Sequence, residues 1–332
     1  MATALSHPAG ALILFDFAAA FPSISQRFMV DLLQKLGIPT CALNLFKAFY
    51  NNNRCQVQVN GHEGGGFKMT SGVRQGCPLS PLLFALCADL LLERIRSCVP
   101  SAVVRAYADD TAVVVQDLWR DAPLLPKIFE EFASLANLDL NIGKTVIVPL
   151  FPSPALDAVK AQLQAELPAW RQVQILYCGK YLGFQVGPSA GESCWNEATA
   201  KYKQRATAWA DHLRGLHCSA LTYNTFAIPV LSYLAQLRTP PATVLAEELR
   251  TLARAAPGPY RWATSSDLWH LTSITGHPKS FKSLALLAKA SQLRARMWDP
   301  ACDDSVGDPG TILEPHHSRS ILFERPSGHG SS

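Results

Sequence analysis

Val103-Val104-Arg105-Ala106-Tyr107-Ala108-Asp109-Asp110-Thr111-Ala112-Val113-Val114-Val115 sets two β-rich halves around a short polar break. Branched and aromatic residues favour a pleated strand, so the stretch predicts a hairpin joined through Ala108-Asp109-Asp110. Two adjacent carboxylates repel each other unless solvent or a cation relieves them. The tip therefore reads either as a solvated turn or as a cation site. Upstream, Ala11-Leu12-Ile13-Leu14-Phe15 is apolar without alternation, which predicts a buried strand that ends at Asp16. A carboxylate drawn from water without a partner costs several kcal/mol, on the order of what a buried ion pair must offset. Asp16 can cap the next helix. Gathered with Asp109 and Asp110, it would instead share a divalent cation, which satisfies all three charges at once.

The surrounding pattern mixes strands and helices in the order of an α+β domain. Ser25 predicts a helix cap, with Phe28, Leu32, Leu33 and Leu36 on one face and Gly37 and Pro39 as the stop. A second helix is expected around Leu43 to Tyr50. Cys55 to Val59 alternates, Asn60-Gly61 is a hairpin turn, and the return strand should run through Phe67 and Met69. Ser80 as cap and Pro81 at the first helical position open a long apolar helix to about Cys98. Helical periodicity covers Leu124 to Leu138, Lys144 to Leu150 is β-rich, and Tyr177 to Val186 predicts a last short hairpin. After Glu192 helical stretches take over, with Trp195, Trp209, Trp262, Trp269 and Trp298 among basic residues. The expected divisions are residues 1–192, 193–298 and a loose Pro/Gly/Ser-rich tail, 299–332.

Bulk properties agree with a folded chain: 48% of the 332 residues are hydrophobic and 17% charged. A net charge of +4 suits a polyanionic partner without requiring one. Nine cysteines stand singly, with no C-x-x-C pair, which predicts reduced thiols rather than a disulfide framework or zinc module. No signal peptide is read in Met1 to Gly10, and the apolar runs are too short to span a bilayer, so the chain is expected to be intracellular and not membrane-bound.

Five motifs in order resemble the reverse transcriptases of non-LTR, LINE-type retrotransposons, over most of residues 11–187. These are Phe15 to Phe21; Ser71-Gly72-Val73-Arg74-Gln75-Gly76-Cys77-Pro78-Leu79-Ser80-Pro81-Leu82-Leu83-Phe84; Tyr107-Ala108-Asp109-Asp110; Leu140-Asn141-Ile142-Gly143-Lys144-Thr145; and Lys180-Tyr181-Leu182-Gly183. Five in sequence are far more specific than one. The resemblance implies a right-hand polymerase palm, an antiparallel sheet with packed helices, with partial fingers and an all-helical thumb-like region after it. It implies RNA-directed DNA polymerase activity with an RNA template, a DNA primer and dNTPs as partners. Asp16, Asp109 and Asp110 would hold two Mg2+ ions, or Mn2+, with the Phe17 carbonyl as a further oxygen.

By the same resemblance, Phe21 would be the steric gate against a ribose 2′-hydroxyl. Gln75 and Gly76 would meet the incoming nucleotide, and Arg74 the template strand. Lys144 would serve as general acid for the departing pyrophosphate, and Tyr181, Leu182 and Gly183 as the primer grip. Lys201, Lys203, Arg205 and Arg214 are available to phosphates. Taken without the motifs, Phe21 also reads as a core aromatic and Lys144 as a surface lysine. Fingers motifs are not found before Asp16, Pro22 replaces an aspartate common in relatives, and no endonuclease or Cys/His module is read. The chain is therefore expected to be a fragment with impaired activity. A catalytically silent nucleic-acid-binding remnant is the alternative; Phe21 argues against a third possibility, an RNA-making polymerase.

Overall fold

The structure is a computed structural model that describes residues 9–151, 155–210, 215–256, 258 and 262–297. By backbone contacts the chain divides between Cys194 and Trp195 into two units.

The first unit is built on a five-stranded sheet in the order β6-β7-β1-β8-β9. Its strands are β1 (Ala11–Phe15), β6 (Val103–Tyr107), β7 (Asp110–Val115), β8 (Val146–Pro149) and β9 (Gln174–Ile175). All neighbours are antiparallel except β8 and β9. The uninterrupted apolarity of β1 has a direct cause: it is central, and both of its faces are covered. Ala11, Ile13 and Phe15 face a large core with Val113, Val115 and Ile147. Leu12 and Leu14 face a smaller one with Ala112, Val148 and Leu150.

The large core is closed by helices, of which α1 (Ala20–Ser23), α2 (Gln26–Lys35), α3 (Thr40–Tyr50), α4 (Ser80–Cys98), α5 (Leu118–Asp121), α6 (Leu125–Ala136) and α7 (Leu156–Glu166) follow in chain order. The Ser25 hydroxyl caps α2 by accepting the Phe28 N–H at 3.2 Å, as expected. Leu36, assigned to the buried face, is 54% exposed, because α2 ends at Lys35 and the αL residue Gly37 turns the chain away. Ser80 is not the cap of α4. The capping position is Leu79, while the buried Ser80 hydroxyl donates to the Arg74 carbonyl at 2.6 Å. Pro81 still sits in the first turn, where its missing N–H is harmless.

The β-ribbon forms as two short ladders rather than one. Strands β3 (Gln58–Val59) and β4 (His62–Glu63) flank Asn60-Gly61, both at positive φ, while β2 (Arg54–Cys55) pairs with β5 (Phe67–Lys68). The smaller core is covered by the hairpin of β10 (Gly179–Tyr181) and β11 (Phe184–Val186), which contributes Tyr181 and Val186. Leu182 and Gly183 both have positive φ, the signature of a tight mirror-image turn. A Cβ at Gly179 would stand 2.5 Å from Leu14 Cδ1, so glycine lets the hairpin lie this close to the sheet.

The second unit is helical: α8 (Asn196–Ala210), α9 (Leu216–Thr222), a π-helical turn at Tyr223–Ala227, α10 (Ile228–Ala235), α11 (Ala242–Ala255), α12 (Ser265–Trp269), α13 (Leu271–Thr275) and α14 (Leu284–Met297). Its core holds Tyr202, Leu231, Leu252, Phe281 and Leu284, and the Tyr202 and Tyr223 hydroxyls hydrogen-bond at 3.1 Å. Glu248, 1% exposed, accepts the Leu284 N–H at 2.7 Å and so anchors the first residue of α14. Thr264 and Asp267 form a reciprocal cap on α12. Trp209 is 41% exposed and stacks on Phe226 at 5.3 Å. Trp298, Arg214 and the expected tail, 299–332, lie outside the described residues. No helix among the described residues is long and apolar enough to cross a membrane, and the described cysteines are free thiols.

Candidate active site

The site grows from the register of three strands. Phe15 pairs with Thr111, and Tyr107 pairs with Asp110. Asp16 therefore leaves β1 alongside the first residue of β7, and Asp109 sits in the two-residue turn beside them. That turn is tight: Ala108 adopts φ 53°, a conformation that costs a non-glycine residue about 1 kcal/mol. The strand after the turn starts one residue earlier than its apolar run suggests, at Asp110.

The carboxylates interact. The Asp110 carboxyl is raised above its ordinary range, first by partial burial and then by the negative charges of Asp109 and Asp16. Asp16 itself is half-exposed, yet its Oδ2 atom is buried and lacks a hydrogen-bond partner. Lys144 Nζ stands 3.6 Å from it, an ion pair just beyond hydrogen-bond length. Among the described residues no three His, Cys, Asp or Glu side chains close into a ready-made metal cage. The orphaned Asp16 oxygen and an all-carboxylate donor set nevertheless fit a hard divalent cation.

Two further segments are stitched to the chain that follows Asp16. On one side the Asn141 N–H donates to the Asp16 carbonyl at 2.7 Å, the Ala18 N–H donates to the Asp139 carbonyl at 2.9 Å, and Phe17 bridges Leu140. This pairing brings Lys144 to Asp16. On the other side the Gly72 N–H donates to the Ile24 carbonyl at 2.7 Å, the Val73 N–H to the Phe21 carbonyl at 2.9 Å, and the Ser71 hydroxyl to the Pro22 carbonyl at 3.2 Å. Gly72 has φ 81°, and a Cβ there would meet the Pro22 carbonyl oxygen at 2.4 Å. The glycine is required by both conformation and space.

Phe17 is buried, whereas Phe21 is half-buried and stacks on Phe84 with centroids 4.5 Å apart. Phe21 thus stands at the rim of the core, fixed from behind. Gln75 and Gly76 are exposed, with Gly76 at φ 87°. The Arg74 guanidinium is engaged within the protein: it donates to the Phe49 carbonyl at 2.6 Å and to Asn53 Oδ1 at 2.7 Å. Tyr181 reaches across the sheet, its hydroxyl 3.5 Å from the Arg105 carbonyl, and its phenol is raised by burial and then by the Asp110 charge. The Tyr181 side chain therefore comes near Asp110.

Residues without an obvious signal complete the frame. Asn137, at φ 57° as the C-cap of α6, donates its amide to the Ser23 carbonyl at 2.7 Å, and Gln26 donates to the Gly72 carbonyl at 3.1 Å. Each holds a segment flanking Phe21. A cavity of about 670 Å3 lies elsewhere, in the helical unit between α11 and Trp262. It lacks any group of interacting carboxylates, so chemistry is assigned to the open aspartate site instead.

Comparison with known proteins bears on the family of the chain. The family profile described as reverse transcriptase (RNA-dependent DNA polymerase) matches residues 4–186, more than half of the chain. The retrovirus-related Pol polyprotein from type-2 retrotransposable element R2DM of Drosophila melanogaster is 27% identical over 191 residues, covering 54% of this chain and 18% of the relative. The transposon TX1 uncharacterized 149 kDa protein of Xenopus laevis is 27% identical over 192 residues, covering 54% of this chain and 14% of the relative. The chain thus spans less than a fifth of the length of these two relatives. Among solved structures, apo telomerase of Candida tropicalis superposes with a TM-score of 0.47 at 11% identity, covering 86% of this chain and 47% of that one. The profile match runs through the end of β11 and takes in every segment that meets at Asp16, and the chain belongs to the reverse transcriptase (RNA-dependent DNA polymerase) family.

Proposed function

We propose that the chain is the palm and thumb of a retrotransposon polymerase that copies RNA into DNA by adding dNTPs to a primer 3′-hydroxyl. The observation that carries this reading is the meeting of Asp16, Asp109 and Asp110 at adjacent strand ends, with one buried carboxylate oxygen left without a hydrogen bond. Two bound Mg2+ or Mn2+ ions would supply Lewis acidity, easing loss of the primer hydroxyl proton and offsetting charge on the triphosphate. Asp16 and Asp109 would hold them, with Asp110 adding negative charge and the Phe17 carbonyl a neutral oxygen.

The remaining residues position and select. The exposed edge of Phe21, backed by Phe84, would clash with a ribose 2′-hydroxyl and leave room for a deoxyribose. Gln75 and Gly76 would approach the incoming nucleotide from the exposed loop before α4, and Arg74 would hold that loop rigid beside the template. As the oxygen–phosphorus bond to the primer forms and the bond to pyrophosphate breaks, Lys144 would donate its proton to the leaving pyrophosphate. Tyr181, Leu182 and Gly183 would steady the primer end next to Asp110. In the helical unit, the exposed Lys201 is available to backbone phosphates, whereas Lys203 is paired with Glu247 at 3.1 Å and the exposed Arg205 donates to the Phe226 carbonyl at 3.1 Å.

Primer extension with the purified chain, an RNA template, Mg2+ and dNTPs tests the proposal. Extension that disappears in Asp109→Ala supports it, and equal products from both proteins contradict it. A catalytically silent nucleic-acid-binding remnant is the alternative reading. Salt-sensitive binding to an RNA/DNA hybrid without any incorporation would select that reading.

A further inference from the structure

The Asp16–Lys144 pair has an unusual division of exposure. The Asp16 Oδ2 atom is buried and has no hydrogen-bond donor, while the Lys144 side chain that faces it is 70% exposed. Carboxylate and ammonium are 3.6 Å apart, so the attraction is electrostatic rather than a directed hydrogen bond. The backbone under the lysine is fixed: its N–H donates to the Asn141 carbonyl at 3.1 Å, the Thr145 hydroxyl donates to the same carbonyl at 3.0 Å, and the Asn141 N–H donates to the Asp16 carbonyl at 2.7 Å. A rigid base thus carries a flexible four-carbon stem with a point charge at its end.

We infer that Lys144 is the placeholder cation of the site: its ammonium neutralises Asp16 until a divalent ion takes the same oxygen, and that exchange releases the amine. This rests on the metal reading proposed above and adds an order of events to it. Two cations cannot both approach one buried oxygen closely, so metal binding and the ion pair compete. The lysine gives way at low cost, because its head is already largely hydrated and need only swing on its stem. Once displaced, its amine stays tethered beside Asp16 by the same Asn141 pairing.

Mn2+ binding by the full chain, followed by electron paramagnetic resonance of the free ion without nucleotide, tests the competition. Lys144→Gln should bind Mn2+ about two- to fivefold more tightly than the parent, the range expected for removing a solvent-screened charge pair. Lys144→Arg, which keeps a cation, should stay within about twofold of the parent. Asp16→Asn separates the two claims. If Asp16→Asn weakens binding but Lys144→Gln leaves it unchanged or weaker, the placeholder is overturned while the metal site stands. If Asp16→Asn binds as the parent does, the metal reading and the placeholder both fall.

Discussion

A methyl group at Gly72 would press on the Pro22 carbonyl and force an L-residue into φ 81°. Gly72→Ala should therefore cost at least about 2 kcal/mol in denaturant unfolding and loosen the loop that carries Gln75. An unchanged midpoint would mean that the loop is not held as described. At the same scale, Phe21→Val should relax sugar choice, raising rNTP relative to dNTP incorporation about tenfold or more, because the ring is the part that reaches past the core. Equal discrimination by the two proteins would reduce Phe21 to a packing residue. The three aspartates and Lys144 were readable as residue types in ordered motifs. The approach of Lys144 to Asp16 was not, because it depends on residues 139–141 pairing with 16–18, a contact between segments more than a hundred residues apart in which periodicity has no voice.

Elements were legible where one physical signal dominated. The non-alternating run of β1 could only mean burial on both sides, and Asn60-Gly61 could only favour a mirror-image turn. Ser80 was misassigned because a serine before proline is a strong local cap, yet its hydroxyl satisfies Arg74, a demand set by the loop and not by the helix. Glu248 in α11 was unreadable for a similar reason: a glutamate on an amphipathic helix usually faces water, whereas here it anchors α14. Burial lifts its carboxyl to about 7 from an ordinary 4.5, with the Leu284 amide opposing the shift. The folded state then binds the proton more tightly than the unfolded chain. Its contribution to stability is full below about pH 4.5 and is lost as pH rises through about 7. Tyr202 and Tyr223, both raised by burial, stay neutral across that window, and the nearby Glu247 is paired with Lys203 and Arg250. Thermal unfolding of the helical unit should show a decline on the order of 2 kcal/mol between pH 5 and pH 8, an interval chosen to straddle the shifted carboxyl. Glu248→Gln should flatten it, and a decline that survives the substitution would exclude Glu248 as its source.

At the scale of the whole molecule, an α+β unit carries every segment that meets at Asp16, and a separate helical unit follows it. Family membership rests on the first unit, and the thumb role of the second remains a proposal of composition and placement in the chain. The most direct measurement is single-nucleotide addition to a DNA primer annealed to RNA, repeated with each of the four bases as the first template position. The account predicts that only the complementary dNTP is added each time and that Asp16→Asn and Asp109→Ala abolish addition. Incorporation that ignores the template base, or that survives loss of both carboxylates, would contradict it.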